Sequence, residues 1–414
     1  MTLPRGMKDI SYTETQAIRY IRSQFETLAE LYGYDATDPS PLEMLSTLET
    51  KSGEAIRKEI YEFQDKGGRH VGLRFDLTMG LTRYVAGNRS TPMPSKLSSF
   101  GGVFRYDEPQ KNRYRYFHQW DIEIYGRPHM YQDVEIIEFT SRFFESLPLN
   151  VIIHLNHRKL VESQICHVFH DVQSDDVIPD MLRALDKTQK KSRADIMAEF
   201  AAYDESRLGL ILDMAYWRGT PAHIEPKLPS HMRNHPKWLY LKTVLSALNN
   251  MGIHNIQIDF GIVRGLDYYT GMVFEVFGTN NTALAGGGRY DSLPGAFGRT
   301  DMGAAGVAGG VERIIHELDQ EMPTTHDVAV MYTPDTYDVA SKLASTLRQK
   351  RLRVRFDVSA RPLKKQLSAS SQDCRYGIIM GTTEIRDNTV ILRDMKLRTQ
   401  HVISYEEIDK YLSL

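Results

Sequence analysis

Apolar residues recur at helical spacing over residues 13–32, where Ile18, Ile21, Phe25 and Leu28 share a face. Thr13-x-x-Gln16 reads as a capping box at the start, and Gly33 closes the helix. From about 60 to 126 the pattern becomes strand-like, with VGLRFDLT (71–78) and VFRY (103–106) set between glycines and polar turns. A second amphipathic helix is predicted over about 133–147, carrying Val134, Ile137 and Phe144. Residues 150–250 open on VIIHL (151–155), turn helical and charged in DKTQKKSRADIMAEF (186–200), and end among Pro221, Pro226, Pro229 and Pro236. That stretch reads as an insertion with a small core of its own. Strand pattern returns at 255–290. The small residues of MGAAGVAGGVERI (302–314) predict a tightly packed helix from near 303 to about 320, and QEMPTTHD (320–327) reads as a linker. The tail alternates VAVMY (328–332), a helix with Val339, Leu343 and Leu347, RVRF (353–356), a helix near 362–370 and YGIIMG (376–381), a compact α/β domain.

Composition narrows the class. A chain of 414 residues makes two to three domains at roughly 150 residues each. Lys+Arg at 51 against Asp+Glu at 53 removes any global excess of positive charge, so a polyanion must find a local surface. Residues 327–414 hold 15 Lys/Arg against 11 Asp/Glu, which makes the tail the place to look. Two distant cysteines, Cys166 and Cys374, exclude a four-cysteine zinc site and fit a reducing compartment. The opening MTLPRGMKDI has no apolar core of signal length, and no run approaches ~18 apolar residues. The expectation is a cytoplasmic chain with no membrane segment.

Three segments carry candidate chemistry. FGGVFRYDEPQKNRYRYFHQWDIEIYG (100–126) reads as strand, polar loop, strand. Alternation sends His118, Trp120, Ile122 and Ile124 to one face and Gln119, Asp121 and Glu123 to the other. Arg105, Lys111, Arg113 and Arg115 gather beside the polar face; guanidinium forks suit phosphate, although a charge run alone also suits a solvated surface. In FGIVRGLDYYTGMVFEVF (260–277), Arg264 stands at a strand end before Asp267, Tyr268 and Tyr269. In LAGGGRYDSL (284–293) three glycines permit close approach to a ligand, or simply a turn or bulge. His223, His231 and His235 sit among prolines with no cysteine, so no zinc site is expected there.

Together these segments resemble the histidyl-tRNA synthetases, class II aminoacyl-tRNA synthetases of subclass IIa. PRGMKDI (4–10) is similar to that family's N-terminal signature, the segment around Pro41 to motif 1, FRYDEPQKNRYRYFHQWDIE (104–123) to motif 2 and GVAGGVERI (306–314) to motif 3. RGLDYYTG (264–271) and AGGGRYDSL (285–293) resemble the two histidine-specific motifs, and NHRKL (156–160) also matches. The likeness covers nearly the whole chain and is thinnest over 150–250. It implies an α+β fold: a class II antiparallel sheet with flanking helices over 1–149 and 251–321, an inserted helical domain over 150–250, and a C-terminal α/β anticodon-binding domain over 326–414.

The resemblance also implies a reaction. L-Histidine is activated by ATP with Mg²⁺ to histidyl-adenylate and transferred to tRNA(His), by a homodimer built on motif 1. Arg105 and Arg264 would be the catalytic cations at the α-phosphate, Arg113 and Arg313 would hold the outer phosphates, and Phe117 would stack on adenine. Asp76, Thr78 and Gln119 would receive the α-amino group, while Glu123 and Tyr269 meet the imidazole nitrogens and Tyr268 and Tyr290 line the same pocket. Gln110 would meet the extra 5′ guanylate of tRNA(His), and Arg361 and Lys365 the tRNA body. Three positions depart from the family pattern. Asp107 and Asp76 keep a carboxylate on a shorter stem than the usual Glu, and Glu108 stands where bacterial members often carry Arg.

Two other readings share these features. The regulatory subunit of ATP phosphoribosyltransferase, a histidine-binding paralogue without aminoacylation, lacks the anticodon-binding tail and has degraded motifs. This chain keeps Arg105, Arg264, Arg313 and the tail. A class IIa synthetase of prolyl or threonyl specificity would not carry RGLDYYTG followed by AGGGRYDSL.

Overall fold

The computed structural model describes residues 2–50, 53–108, 114–188, 191–263, 269–318, 326–371 and 373–412. Contacts divide the chain into two units, Met1–Asp319 and Gln320–Leu414, each described by itself. Of the predicted linker, His326 and Asp327 already belong to a strand, and residues 320–325 lie outside the described residues.

The larger unit is built on a nine-stranded sheet in the order Asp35–Ala36, Ser95–Phe104, Tyr116–Gly126, Gly303–Gly310, Ala283–Arg289, Met272–Phe277, Ile152–His157, Ile256–Asp259, Arg218–Gly219. From Ser95–Phe104 to Ile152–His157 every neighbouring pair is antiparallel. Helices Tyr12–Leu31 and Met130–Glu145 cover one face, where Phe25 lies 5.7 Å from Trp120 and Trp120 lies 4.7 Å from Phe143, ring to ring. Burial of such rings is the main stabilising contribution on this face.

Local chemistry explains the first helix, with a correction. The capping box is Ser11-x-x-Glu14, not Thr13-x-x-Gln16: Glu14 N–H donates to Ser11 Oγ at 3.3 Å and Ser11 N–H to Glu14 Oε2 at 3.0 Å. Ser11 is the last extended residue, so Thr13 is already inside the helix. Gly33, at φ +69°, ends it.

Two larger expectations also fail. Residues 303–310 form a strand, and only Val311–Glu317 is helical. The small residues there serve the neighbouring strand. In register, Gly306 faces Glu123 and Gly309 faces Trp120; a Cβ on Gly306 would lie 1.5 Å from Glu123 Oε2, and one on Gly309 2.4 Å from Trp120 Nε1. Periodicity alone does not separate a packed helix from such a strand. The glycines at 286–288 likewise sit within a strand, where a Cβ on Gly288 would lie 2.4 Å from Met272 O.

Nor does 150–250 have a core of its own. Ile152–His157 is an inner strand of the sheet, between Met272–Phe277 and Ile256–Asp259. The helices that follow bury Leu160, Met181, Ile211, Trp238 and Leu241 in one continuous cluster with Trp120 and Ile122. The segment begins inside the sheet, so its helices pack onto that sheet's core.

The smaller unit has a five-stranded sheet, Val354–Phe356, His326–Tyr332, Cys374–Met380, Thr389–Asp394, Gln400–Ser404, parallel across the first three strands and antiparallel across the last. The final two strands are not evident from the sequence pattern. Helix Tyr337–Gln349 buries Ala340, Leu343, Ala344 and Leu347 and leaves Val339 outside.

Gly309→Ala drives a methyl into the Trp120 indole and should lower unfolding free energy by roughly 1–3 kcal/mol in urea titration. Gly295→Ala, whose Cβ would meet its nearest atom at 3.7 Å, should stay within about 0.5 kcal/mol of the parent.

Candidate active site

On the sheet face away from Trp120 lies a cleft of about 1330 Å³, walled at one end by Arg105, Asp107, Phe117, Gln119, Glu312 and Arg313. Arg105 is fixed from behind, its Nε donating to Phe75 O at 2.9 Å, and its guanidinium lies 5.2 Å from the Phe117 ring centre. Arg313 donates to Ala283 O at 2.8 Å and is exposed to the cleft.

The helix that carries Arg313 is clamped by its neighbour. Glu312 accepts from the His118 N–H at 2.9 and 3.1 Å and pairs with His118 Nδ1 at 2.9 Å. Sequence reasoning passed over this carboxylate; its signal was a Glu beside Arg313 in the first turn of the helix. Arg115, expected beside the polar face, turns inward. It is buried, stacked 3.9 Å from the Tyr106 ring centre, and donates to Asp107 O and Arg5 O, while its backbone N–H meets Gly6 O. PRGMKDI thereby straps the base of the motif-2 loop. Gln110, Lys111 and Arg113 lie outside the described residues, as do Arg264 and Tyr268.

Next to this cationic wall the strand alternation produces the opposite charge. Gln119, Asp121 and Glu123 point to one face as expected, and all three are buried. Tyr290 donates its hydroxyl to Glu123, and Thr78 Oγ1 donates to Asp121 Oδ2 at 3.2 Å. Asp76 accepts from Met79 N–H at 3.1 Å, opening helix Thr78–Gly87. Tyr269 lies with its ring 6.4 Å from that of Tyr290. Burial first, then the negative charges of Glu123, Glu275, Asp121 and Asp76, push its phenol well above the ordinary tyrosine range. Tyr269 is therefore a hydrogen-bond donor at any working pH. Gln119 Oε1 is buried with no hydrogen-bond partner among the described residues, the condition of an acceptor that awaits a donor.

The NHRKL segment supports this pocket from behind. Asn156 Nδ2 donates to Ile262 O at 2.9 Å, and Arg158 Nη1 to Tyr269 O at 3.0 Å. Its second residue, His157, is buried and caps the next helix, accepting from Lys159 N–H at 3.1 Å. In the tail, Arg361 and Lys365 are both exposed, with Arg361 paired to Asp357 at 2.5 Å.

A buried acidic pocket beside a cleft lined by Arg105 and Arg313, on an antiparallel sheet, fits a class II aminoacyl-tRNA synthetase. Comparison narrows the class. The family model described as histidyl-tRNA synthetase matches residues 6–314, and the anticodon binding domain model matches 326–413. Histidine–tRNA ligases of Pyrobaculum islandicum and Saccharolobus islandicus are each 32% identical over 98% of this chain, covering 96% and 97% of their own. The solved histidyl-tRNA synthetase of Nostoc sp. PCC 7120 superimposes with a TM-score of 0.83 at 23% identity, over 100% of this chain and 98% of that one. A structure titled ATP phosphoribosyltransferase regulatory subunit/histidyl-tRNA synthetase, from Bacillus halodurans, gives 0.75 at 20% identity over 92% of this chain and 97% of its own. The chain belongs to the histidyl-tRNA synthetase family.

Two buried groups behind the pocket set a pH dependence. Burial, helped by Lys237, pushes the His157 imidazole down to about 3; burial pushes the Asp133 carboxyl up to about 6 against the pull of Arg289, 2.6 Å away. His157 contributes stability that is complete above about pH 6.5 and is lost as pH falls toward 3. Asp133 works in the other sense, its contribution complete below about pH 4 and lost as pH rises through 6. His157→Asn isolates the first effect. Between pH 6.5 and 4 the variant should lose roughly 3 kcal/mol less unfolding free energy than the parent.

Proposed function

We infer that the chain is a histidine–tRNA ligase, which activates L-histidine with ATP and transfers it to tRNA(His). One observation carries the reading: a buried acidic pocket built on Glu123 and Tyr269 adjoins a cleft lined by Arg105 and Arg313. A neutral imidazole has one N–H and one lone-pair nitrogen. Glu123 accepts from the first and the protonated Tyr269 donates to the second, with Tyr290 and Tyr268 closing the pocket. The α-ammonium group is met by Gln119 Oε1 and the carboxylates of Asp76 and Asp121, with Thr78 orienting the latter. Leaving those polar groups unpaired discriminates against other amino acids by roughly 10⁴–10⁵, so no editing site is required.

The cationic wall serves the nucleotide. The histidine carboxylate attacks the α-phosphorus in line and pyrophosphate leaves, so the protein's work is positioning and charge stabilisation. Arg105 and Arg264 meet the α-phosphate, Arg113 and Arg313 the outer phosphates, and Phe117 the adenine. Magnesium would enter with the triphosphate and offset its charge; among the described residues no group of three His, Cys, Asp or Glu side chains could hold a metal ion, so phosphate oxygens and water would supply most of its ligands. The tRNA 3′ hydroxyl then attacks the histidyl carbonyl and releases AMP.

The rest of the chain follows from this division of labour. Residues 1–149 and 251–321 form the catalytic domain, 150–250 the insertion, and 326–414 the domain that grips tRNA(His), with Arg361 and Lys365 on its exposed surface and Gln110 reaching the 5′ guanylate. Leu42, Met44 and Phe63 are exposed on a small three-stranded sheet next to Pro41, which supports a homodimer through motif 1. Charging tRNA for protein synthesis places the chain in the cytoplasm; among the described residues no helix is long and apolar enough to cross a membrane.

The decisive measurement is ATP–pyrophosphate exchange with each of the twenty amino acids. Exchange with histidine alone is expected; histidine binding without exchange would point to the regulatory paralogue, and exchange with another amino acid to a different pocket chemistry. Tyr290→Phe removes the hydroxyl that orients Glu123 and should raise KM for histidine by about tenfold or more, a hydrogen bond to a charged group being worth ~1.5–3 kcal/mol, with KM for ATP unmoved.

A further inference from the structure

The cleft is larger than a small-molecule site of ~300–1,000 Å³ requires. The wall opposite Arg105 is formed by Thr188, Ala215, Tyr216 and Arg218, where helix Glu205–Met214 runs into the edge strand Arg218–Gly219. Tyr216 lies in the turn that leads into this strand. Trp217 packs inward, its ring 5.8 Å from that of Phe260, while Tyr216 and Arg218 turn to the cleft. Tyr216 is 68% exposed, a large aromatic surface presented to solvent.

Arg218 is held rather than mobile. Its Nε donates to Asp259 Oδ2 at 2.8 Å, and Asp259 is wholly buried. The same carboxylate has His154 Nδ1 at 2.8 Å and accepts the Gly261 N–H at 2.9 Å. Asp259 therefore has other partners, and the Arg218 Nη atoms make no hydrogen bond among the described residues. Asp107, Glu275 and Glu312 also line the cleft, and Arg105, Arg313 and Arg218 offset their repulsion of a polyanion.

A fixed guanidinium fork beside an exposed ring is the pair that single-stranded nucleic acid uses: phosphate on the fork, unstacked base on the ring. The nucleotide substrate already has Arg105, Phe117 and Arg313 at the other wall. We propose that Tyr216 and Arg218 form a subsite for the last nucleotides of the single-stranded 3′ end of the tRNA, which crosses this lip to bring its terminal hydroxyl to the adenylate. The proposal rests on the ligase reading.

The test compares single-turnover transfer from preformed histidyl-adenylate with ATP–pyrophosphate exchange in each variant. In Arg218→Ala and Tyr216→Ala the ratio of transfer to exchange should fall by about tenfold, the effect of one lost stacking or phosphate contact. Tyr216→Phe, which keeps the ring, should stay within about twofold of the parent. An unchanged ratio in both alanine variants overturns the subsite, as does a Tyr216→Phe loss equal to that of Tyr216→Ala. If the parent shows no histidine-dependent exchange, the ligase reading fails separately. An RNA hairpin with a single-stranded 3′ tail, compared with a blunt one, then decides: tail-dependent binding lost in both alanine variants upholds the subsite, and tail-independent binding overturns it.

Discussion

A buried carboxylate in the middle of an antiparallel sheet is the demand around which this protein is arranged. Glu123 can lie across the neighbouring strand only because residue 306 has no side chain, a Cβ there falling 1.5 Å from Oε2. An isolated buried carboxylate is costly, and the surroundings answer with the Tyr290 hydroxyl. The same strand drops its side chain again at Gly309, on the other face, to admit Trp120. One run of small residues thus makes room for the acidic pocket on one side of the sheet and for the aromatic core on the other.

From that arrangement the two halves of the site acquire opposite charge within a few strands of each other. Asp76, Asp121, Glu123 and Glu275 surround Tyr269, and their field together with burial keeps its phenol protonated. Arg105 and Arg313 face the adjoining cleft, each tethered to a backbone carbonyl. Tethering matters because a guanidinium held in place need not be reorganised as charge develops on a phosphate. The N-terminal segment, through Arg115, and Glu312, through His118, stiffen the two supports of that cationic wall.

Much of this was legible in the chain. Period-two alternation over 116–124 separates the polar trio Gln119, Asp121 and Glu123 from Trp120 and Ile122, because a strand's side chains must alternate whatever it packs against. The motifs around Arg105, Arg264 and Arg313 carry the family likeness by residue type and spacing. Less legible was anything set by a neighbour distant in sequence. GAAGVAGG reads as a helix until the Tyr116–Gly126 strand is laid beside it, and the capping box shifts by two residues because only backbone angles show where the helix begins.

What the sequence by itself determined is the inventory and its local order: which strand alternates, which loops carry guanidiniums, and which pieces belong to this family. Tertiary structure decided what those groups meet. It buried the polar trio, turned Arg115 inward, drew VIIHL out of the insertion into the sheet, and brought Tyr216 and Arg218 to the lip of the cleft. The physical reason is that burial, field and hydrogen-bond partner are properties of contacts made in space, many between residues far apart along the chain, as Glu123 is from Tyr290, and no short window along the chain contains both.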